Sequence, residues 1–154
     1  MSPSSIALFR LGEQCNNACP MCSNSGRPEA FHQRNSELVQ RVSFLESQGI
    51  RRVVLTGGEP TIHRGFWDVV DALRSAGITW DINTHGRCFS KPEFAAQALA
   101  SGLQRTIVSL HSHLVETSCL ISGVSKKAHF ETVDGIKNLL ALGIPVWVNI
   151  VLTR

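Results

Sequence analysis

Apolar residues recur along this chain with two alternating rhythms. Over 36–48, Leu38, Val42 and Leu45 fall four and three apart, the period of a helix with one buried face. Phe66, Val69, Val70 and Leu73 repeat that period over 66–76, and Phe130, Val133, Ile136 and Leu140 mark a stripe over 126–142. The helix over 91–101 is predicted from its start instead. Ser90-x-x-Glu93 has the form of a capping box, whose side chains satisfy free amides of a first helical turn.

Each helical stretch ends on a glycine that opens a short β-rich run: "QGIRRVVLTGG", "AGITWDINTHG", "SGLQRTIVSLHS" and "LGIPVWVNIVLT". Gly49, Gly77, Gly102 and Gly143 stand where a helix stops, because glycine takes the left-handed conformation without steric cost. The runs that follow are too continuously apolar for half-exposed strands and suit a parallel sheet covered on both faces. With a first strand at about 5–11, five strands alternate with four helices. Such alternation predicts an α/β fold with right-handed crossovers, open or curled into a barrel. The spacing between Gly102 and Gly143 exceeds the two before it, and the excess lies in "HSHLVETSCLISGVS", 111–125, which reads as a long functional or mobile loop.

The composition, 43% hydrophobic and 18% charged over 154 residues, suits one globular domain with a single core. The net charge of +3 comes from scattered basic residues, so nothing indicates nucleic-acid binding. There is no apolar run of about 18 residues to span a membrane, and the N-terminus reads as lacking a leader. Five cysteines in such a chain point to a cytoplasmic location, and to metal-binding or reactive thiols rather than disulfides. Trp67, Trp80 and Trp147 are assigned to the core, and Asn149 to the lining of a barrel.

Three of those cysteines lie in "CNNACPMC", as C-x3-C-x2-C at Cys15, Cys19 and Cys22. Clustered thiolates after a strand fit a [4Fe–4S] cluster with one iron left open. Zinc is the competing occupant, with His32 or Cys88 as fourth ligand. "LTGGEPT", 55–61, follows the second strand; its paired glycines let backbone approach a ligand, and Glu59 adds negative charge. "CNNACPMC", "GGEPT", "THG" and "HSH" all follow strands, so all four converge on the rim that carries active sites in α/β barrels.

C-x3-C-x2-C after a first strand and GGEP after a second resemble the radical S-adenosylmethionine (radical SAM) superfamily. "THG" and "SLHS", after the third and fourth strands, resemble two further segments of that family, so the resemblance covers almost the whole chain. It implies a partial (β/α) TIM-like barrel of parallel strands. The chain is then a single core domain over 1–154, C-terminally incomplete, with five strands and four helices and the sixth unit absent.

The resemblance also implies roles. Cys15, Cys19 and Cys22 would ligate a [4Fe–4S] cluster that chelates S-adenosylmethionine. Gly57, Gly58 and Glu59 would line its methionine amino group, with Pro60 fixing the turn. Asn83, Thr84 and Ser109 would face the sugar or carboxylate, and Met21, where many members carry an aromatic residue, the adenine. His85 stands where the family has asparagine.

The implied activity is reductive cleavage to a 5′-deoxyadenosyl radical that abstracts hydrogen from an unidentified substrate. Implied partners are a reductant such as flavodoxin or ferredoxin, and a partner or C-terminal segment completing the barrel. The alternative is a non-catalytic metal-binding or iron–sulfur redox module, or an inactive fragment, using the same cysteines. His111, His113 and Cys119 are weaker candidates for substrate chemistry; for Cys88 and Cys119 a buried or idle thiol is the favoured reading.

Overall fold

In the computed structural model, which describes residues 6–23 and 33–152, five parallel strands form one sheet in sequential order. They are β1 (Ile6–Arg10), β2 (Arg52–Thr56), β3 (Thr79–Thr84), β4 (Leu103–Ser109) and β5 (Val146–Asn149). The helices are α1 (Asn35–Ser47), α2 (Phe66–Ser75), α3 (Pro92–Ala100), α4 (Val115–Ser122) and α5 (Lys126–Ala141). Two 3₁₀ turns, Pro60–Ile62 and Arg87–Ser90, follow β2 and β3. No described helix is long and apolar enough to cross a membrane.

All four helix-ending glycines have positive φ: Gly49 at 72°, Gly77 at 65°, Gly102 at 96° and Gly143 at 73°. The strands turn one face to the helices. There Phe9, Val53, Leu55, Trp80, Ile82 and Val108 are buried against Leu38, Val42, Phe66, Val69 and Leu73. Each such apolar side chain contributes about 1.5–3 kcal/mol. Phe66 anchors this layer, edge-on to Trp80 with ring centroids 5.9 Å apart and stacked on Phe94 at 5.8 Å.

The structure corrects five sequence expectations. The sheet is not covered on both faces: Leu8 and Trp147, on the face away from the helices, are exposed. The segment 111–125 contains a helix, α4, so the described residues hold five α-helices rather than four. Its end was readable: Gly123 takes φ 61° at the C-terminal cap.

The buried face of α5 is not the apolar stripe. Phe130 and Leu140 are exposed, whereas Ala128, His129, Thr132, Gly135 and Leu139 are buried. The cause is close approach to the turn after β3, where a Cβ on Gly135 would lie 2.2 Å from the Gly86 carbonyl oxygen. The small face also carries the polar contacts. Thr132 Oγ1 donates to the His85 carbonyl at 2.8 Å, and Asn138 Nδ2 to those of Phe89 and Ser90 at 2.9 and 3.0 Å.

The capping box does not form. Helix α3 begins at Pro92 behind Lys91, which makes no side-chain cap, and Ser90 Oγ donates instead to the Arg87 carbonyl at 2.7 Å. Trp147 is not core either: it lies exposed on the edge strand β5, beneath the Arg105 guanidinium.

Candidate cofactor-binding site

The loops that follow the strands meet at one end of the sheet around a cavity of about 330 Å³. Cys15, Cys19 and Cys22 lie in its wall together with Gly57, Gly58 and Glu59. Met21, Asn83, Thr84 and His85 line it as well, as do Ser109, His111 and Asn149. Pro60 is buried behind the wall as the first residue of its 3₁₀ turn. His113 is exposed, and neither it nor Cys119, on α4, lines the cavity. Cys88 sits in the 3₁₀ turn after β3, away from the cavity wall, and His32 lies outside the described residues.

The cysteine loop is fastened on three sides. The Gly58 N–H donates to the Gly12 carbonyl at 3.0 Å and the Glu59 N–H to that of Gln14 at 2.7 Å. Ideal Cβ atoms on Gly57 and Gly58 would stand 2.2 Å from the carbonyl oxygens of Gly12 and Gln14. The two glycines are therefore required for one loop to lie on the other, a demand additional to any approach by a ligand.

On the second side, the Ala18 N–H and Cys19 Sγ donate to the Ser122 carbonyl at 3.2 and 3.4 Å. A Cβ on Gly123 would meet the Ala18 carbonyl oxygen at 2.3 Å. Helix α4 is thus a backstop for the cysteine loop. On the third side, Arg87 Nη1 reaches the Asn16 carbonyl and Asn17 Oδ1, both at 3.3 Å, while its Nε donates to Glu131 at 2.8 Å.

Glu59 is buried with its charge surrounded by donors. Oε1 accepts from the Thr61 N–H at 3.1 Å, Thr61 Oγ1 at 2.6 Å and Thr84 Oγ1 at 2.8 Å, and Oε2 from the His85 N–H at 2.8 Å. Thr84 Oγ1 also accepts the Gly86 N–H at 2.9 Å, so its hydroxyl is engaged on both sides.

His85 Nδ1 accepts the Arg87 N–H at 3.2 Å. Its proton is therefore on Nε2, which donates to Asn16 Oδ1 at 2.6 Å. Burial holds this imidazole below its ordinary pKa, against the pull of the Glu59 carboxylate. His111 is lowered by burial too, and its Nδ1 accepts the Val151 N–H at 3.2 Å.

The donor set fits a thiolate-bound cluster. Three cysteines, none of them in a disulfide, share this one wall. Burial is the main cause that raises the Cys15 and Cys19 thiols, reinforced by the other cysteines and, at Cys15, by Glu59. Thiols in that state wait for a cationic centre to favour their thiolates. No group of three or more His, Cys, Asp or Glu closes round a single ion among the described residues. In the same wall Asn83 Oδ1 is buried without a hydrogen-bond partner among the described residues, an acceptor left for something that occupies the cavity.

The sequence profile of the Radical SAM superfamily matches residues 9–154. The chain belongs to the radical SAM superfamily. That superfamily uses a [4Fe–4S] cluster and S-adenosylmethionine. A probable GTP 3′,8-cyclase of Saccharolobus islandicus is 33% identical over 146 residues, covering 94% of this chain and 46% of the relative. The radical SAM chain thus spans about half the length of the curated relatives it matches.

Among solved structures, Streptococcus suis SuiB bound to S-adenosylmethionine superposes with a TM-score of 0.76 at 18% identity, over 99% of this chain and 35% of SuiB. The methyltransferase TsrM of Kitasatospora setae, with cobalamin and a [4Fe–4S] cluster bound, gives 0.71 at 15% identity, over 94% of this chain and 30% of TsrM. At these identities the likeness is one of fold, a TIM-like partial barrel.

Proposed function

We propose that this chain is the radical-generating core of a radical SAM enzyme. The observation that carries the reading is the single cavity wall shared by Cys15, Cys19, Cys22 and the Gly57–Glu59 loop. In this reading Cys15, Cys19 and Cys22 hold the cluster, and the Gly57–Glu59 backbone lines the methionine amino group. Asn83 and Ser109 face the sugar or carboxylate, with Asn83 Oδ1 able to accept from a sugar hydroxyl, and Met21 lies near the adenine. Thr84 and Glu59 act as positioning residues, since their polar atoms already bind one another and the neighbouring loops. Pro60 sets the direction of the chain after Glu59.

When bound and reduced, the cluster with S-adenosylmethionine supplies a 5′-deoxyadenosyl radical able to abstract hydrogen from a substrate. The chain's own residues orient the cofactor and hold the cysteine loop on three sides. The electron comes from a reductant of the flavodoxin or ferredoxin type. The relative's activity makes GTP the first substrate to offer.

Anaerobic reconstitution with iron and sulfide, followed by electron paramagnetic resonance of the reduced protein, tests the reading. The expected result is a cluster signal that changes when S-adenosylmethionine is added. It should be lost in Cys15→Ala, Cys19→Ala or Cys22→Ala and kept in Cys88→Ala. A cluster indifferent to S-adenosylmethionine would favour a redox module instead. Colourless stoichiometric zinc would overturn the radical reading.

A further inference from the structure

Below the cavity, on the same face of the sheet, a row of three charged residues and one tryptophan crosses four strands. Alternate residues of a strand share a face, and the register aligns Val54 with Asp81, Asp81 with Arg105, and Ile107 with Trp147. Asp81 stands two residues before the cavity-lining Asn83, a step of about 6–7 Å along the strand. It is fully buried and accepts Arg52 Nε at 3.1 Å, Arg52 Nη2 at 2.7 Å and Arg105 Nη2 at 2.7 Å. The Arg105 guanidinium lies 4.1 Å from the Trp147 ring centroid.

Two guanidiniums against one carboxylate leave a positive charge in excess. A brace between strands needs only one arginine for charge balance. Arg105 Nε is also buried with no hydrogen-bond partner among the described residues, a costly state unless an acceptor arrives. The side chains of Arg52 and Arg105 keep 35% and 23% of their exposure, so both remain reachable. A guanidinium stacked on an indole presents its N–H edge in a fixed plane, the geometry that carboxylate and phosphate oxygens accept.

We propose that Arg52 and Arg105, with Trp147 as the shelf beneath Arg105, form an oxyanion subsite inside the half-barrel for a phosphate or carboxylate group of the substrate. Its assignment to a substrate rests on the radical SAM reading; anion binding there does not. The subsite would set how deep a substrate reaches, holding its anionic end below the cavity and its reacting carbon near the cofactor.

Nuclear magnetic resonance of the labelled protein tests this by following the arginine Nε–H and Trp147 indole N–H signals. The titrants are inorganic phosphate and acetate, each against chloride at equal ionic strength. Expected is a saturable shift at Arg105 and Trp147 with phosphate, with or without a response to acetate. A response to phosphate alone marks a phosphate-bearing substrate; a response to both admits a carboxylate.

Affinity read at Trp147 should fall about tenfold or more in Arg105→Gln, since a hydrogen bond to a charged group is lost. Where that variant does not fold, Arg52→Gln is read the same way. No saturable shift with either anion in the folded protein overturns the subsite, as does unchanged affinity in the folded variants. Absence of the shift in a protein whose cluster still answers S-adenosylmethionine removes the subsite alone. A retained shift without that cluster response removes the cofactor reading alone.

Discussion

The Glu59 carboxylate accepts the His85 backbone N–H at 2.8 Å, and through this bond the loop after β2 is held against the loop after β3. Glu59→Gln should lower stability by about 2 kcal/mol, because an amide offers one acceptor oxygen to a group of four donors and turns its own N–H toward one of them. Urea unfolding of the two proteins measures the difference. A loss below a few tenths of a kcal/mol would contradict the clamp.

Gly58→Ala should cost about 3 kcal/mol or more and reduce the iron retained after reconstitution. Its Cβ would lie 2.2 Å from the Gln14 carbonyl oxygen and 2.4 Å from that of Glu13, both backbone atoms that cannot swing aside. Iron and sulfide content alongside the melting temperature checks this. Undiminished iron with an unshifted melting temperature would show that the loops do not need the contact.

Stability should fall as pH drops below about 6.5, and His85 should account for part of the fall. Burial lowers its pKa from 6.5 in the folded protein, so between the two values the unfolded chain binds the extra proton. Above the unfolded value the group contributes no pH dependence; His111 acts in the same direction. Urea midpoints between about pH 7.5 and 5.5 should decline less in His85→Gln than in the wild type. Parallel declines would remove His85 from the account.

Ser125→Ala should cost about 1 kcal/mol. Ser125 Oγ accepts the Ala128 N–H at 3.3 Å as the N-cap of α5, the helix packed on the turn after β3. Ser90→Ala should cost less, because Ser90 caps no α-helix. Chemical denaturation of both variants side by side decides, and an equal or reversed order would count against it.

Much of the site was readable because chemistry and local geometry coincide in short motifs. Each motif follows a strand, and parallel strands in sequential order bring all such loops to one end. That logic placed Cys15, Cys19, Cys22, Gly57, Gly58, Glu59 and Thr84 around one cavity, and the family resemblance added Asn83 and Ser109, which line it too. It did not reveal that Gly57 and Gly58 are needed where two backbones touch, or that α4 backs the cysteine loop. Both facts concern residues far apart in the chain.

The sequence by itself determined the alternation of helix and strand, the left-handed glycines that end helices, and the cysteine spacing. These depend on backbone sterics and on neighbours within one turn or one loop. Tertiary structure decided which face of α5 is buried, because contact with Gly86 requires the small residue Gly135 rather than the larger apolar residues on the stripe. It also decided that Trp147 stays exposed under Arg105 and that Asp81 is buried between two arginines. Periodicity records how apolar a face is; packing also selects how closely it can approach and which polar groups it can satisfy.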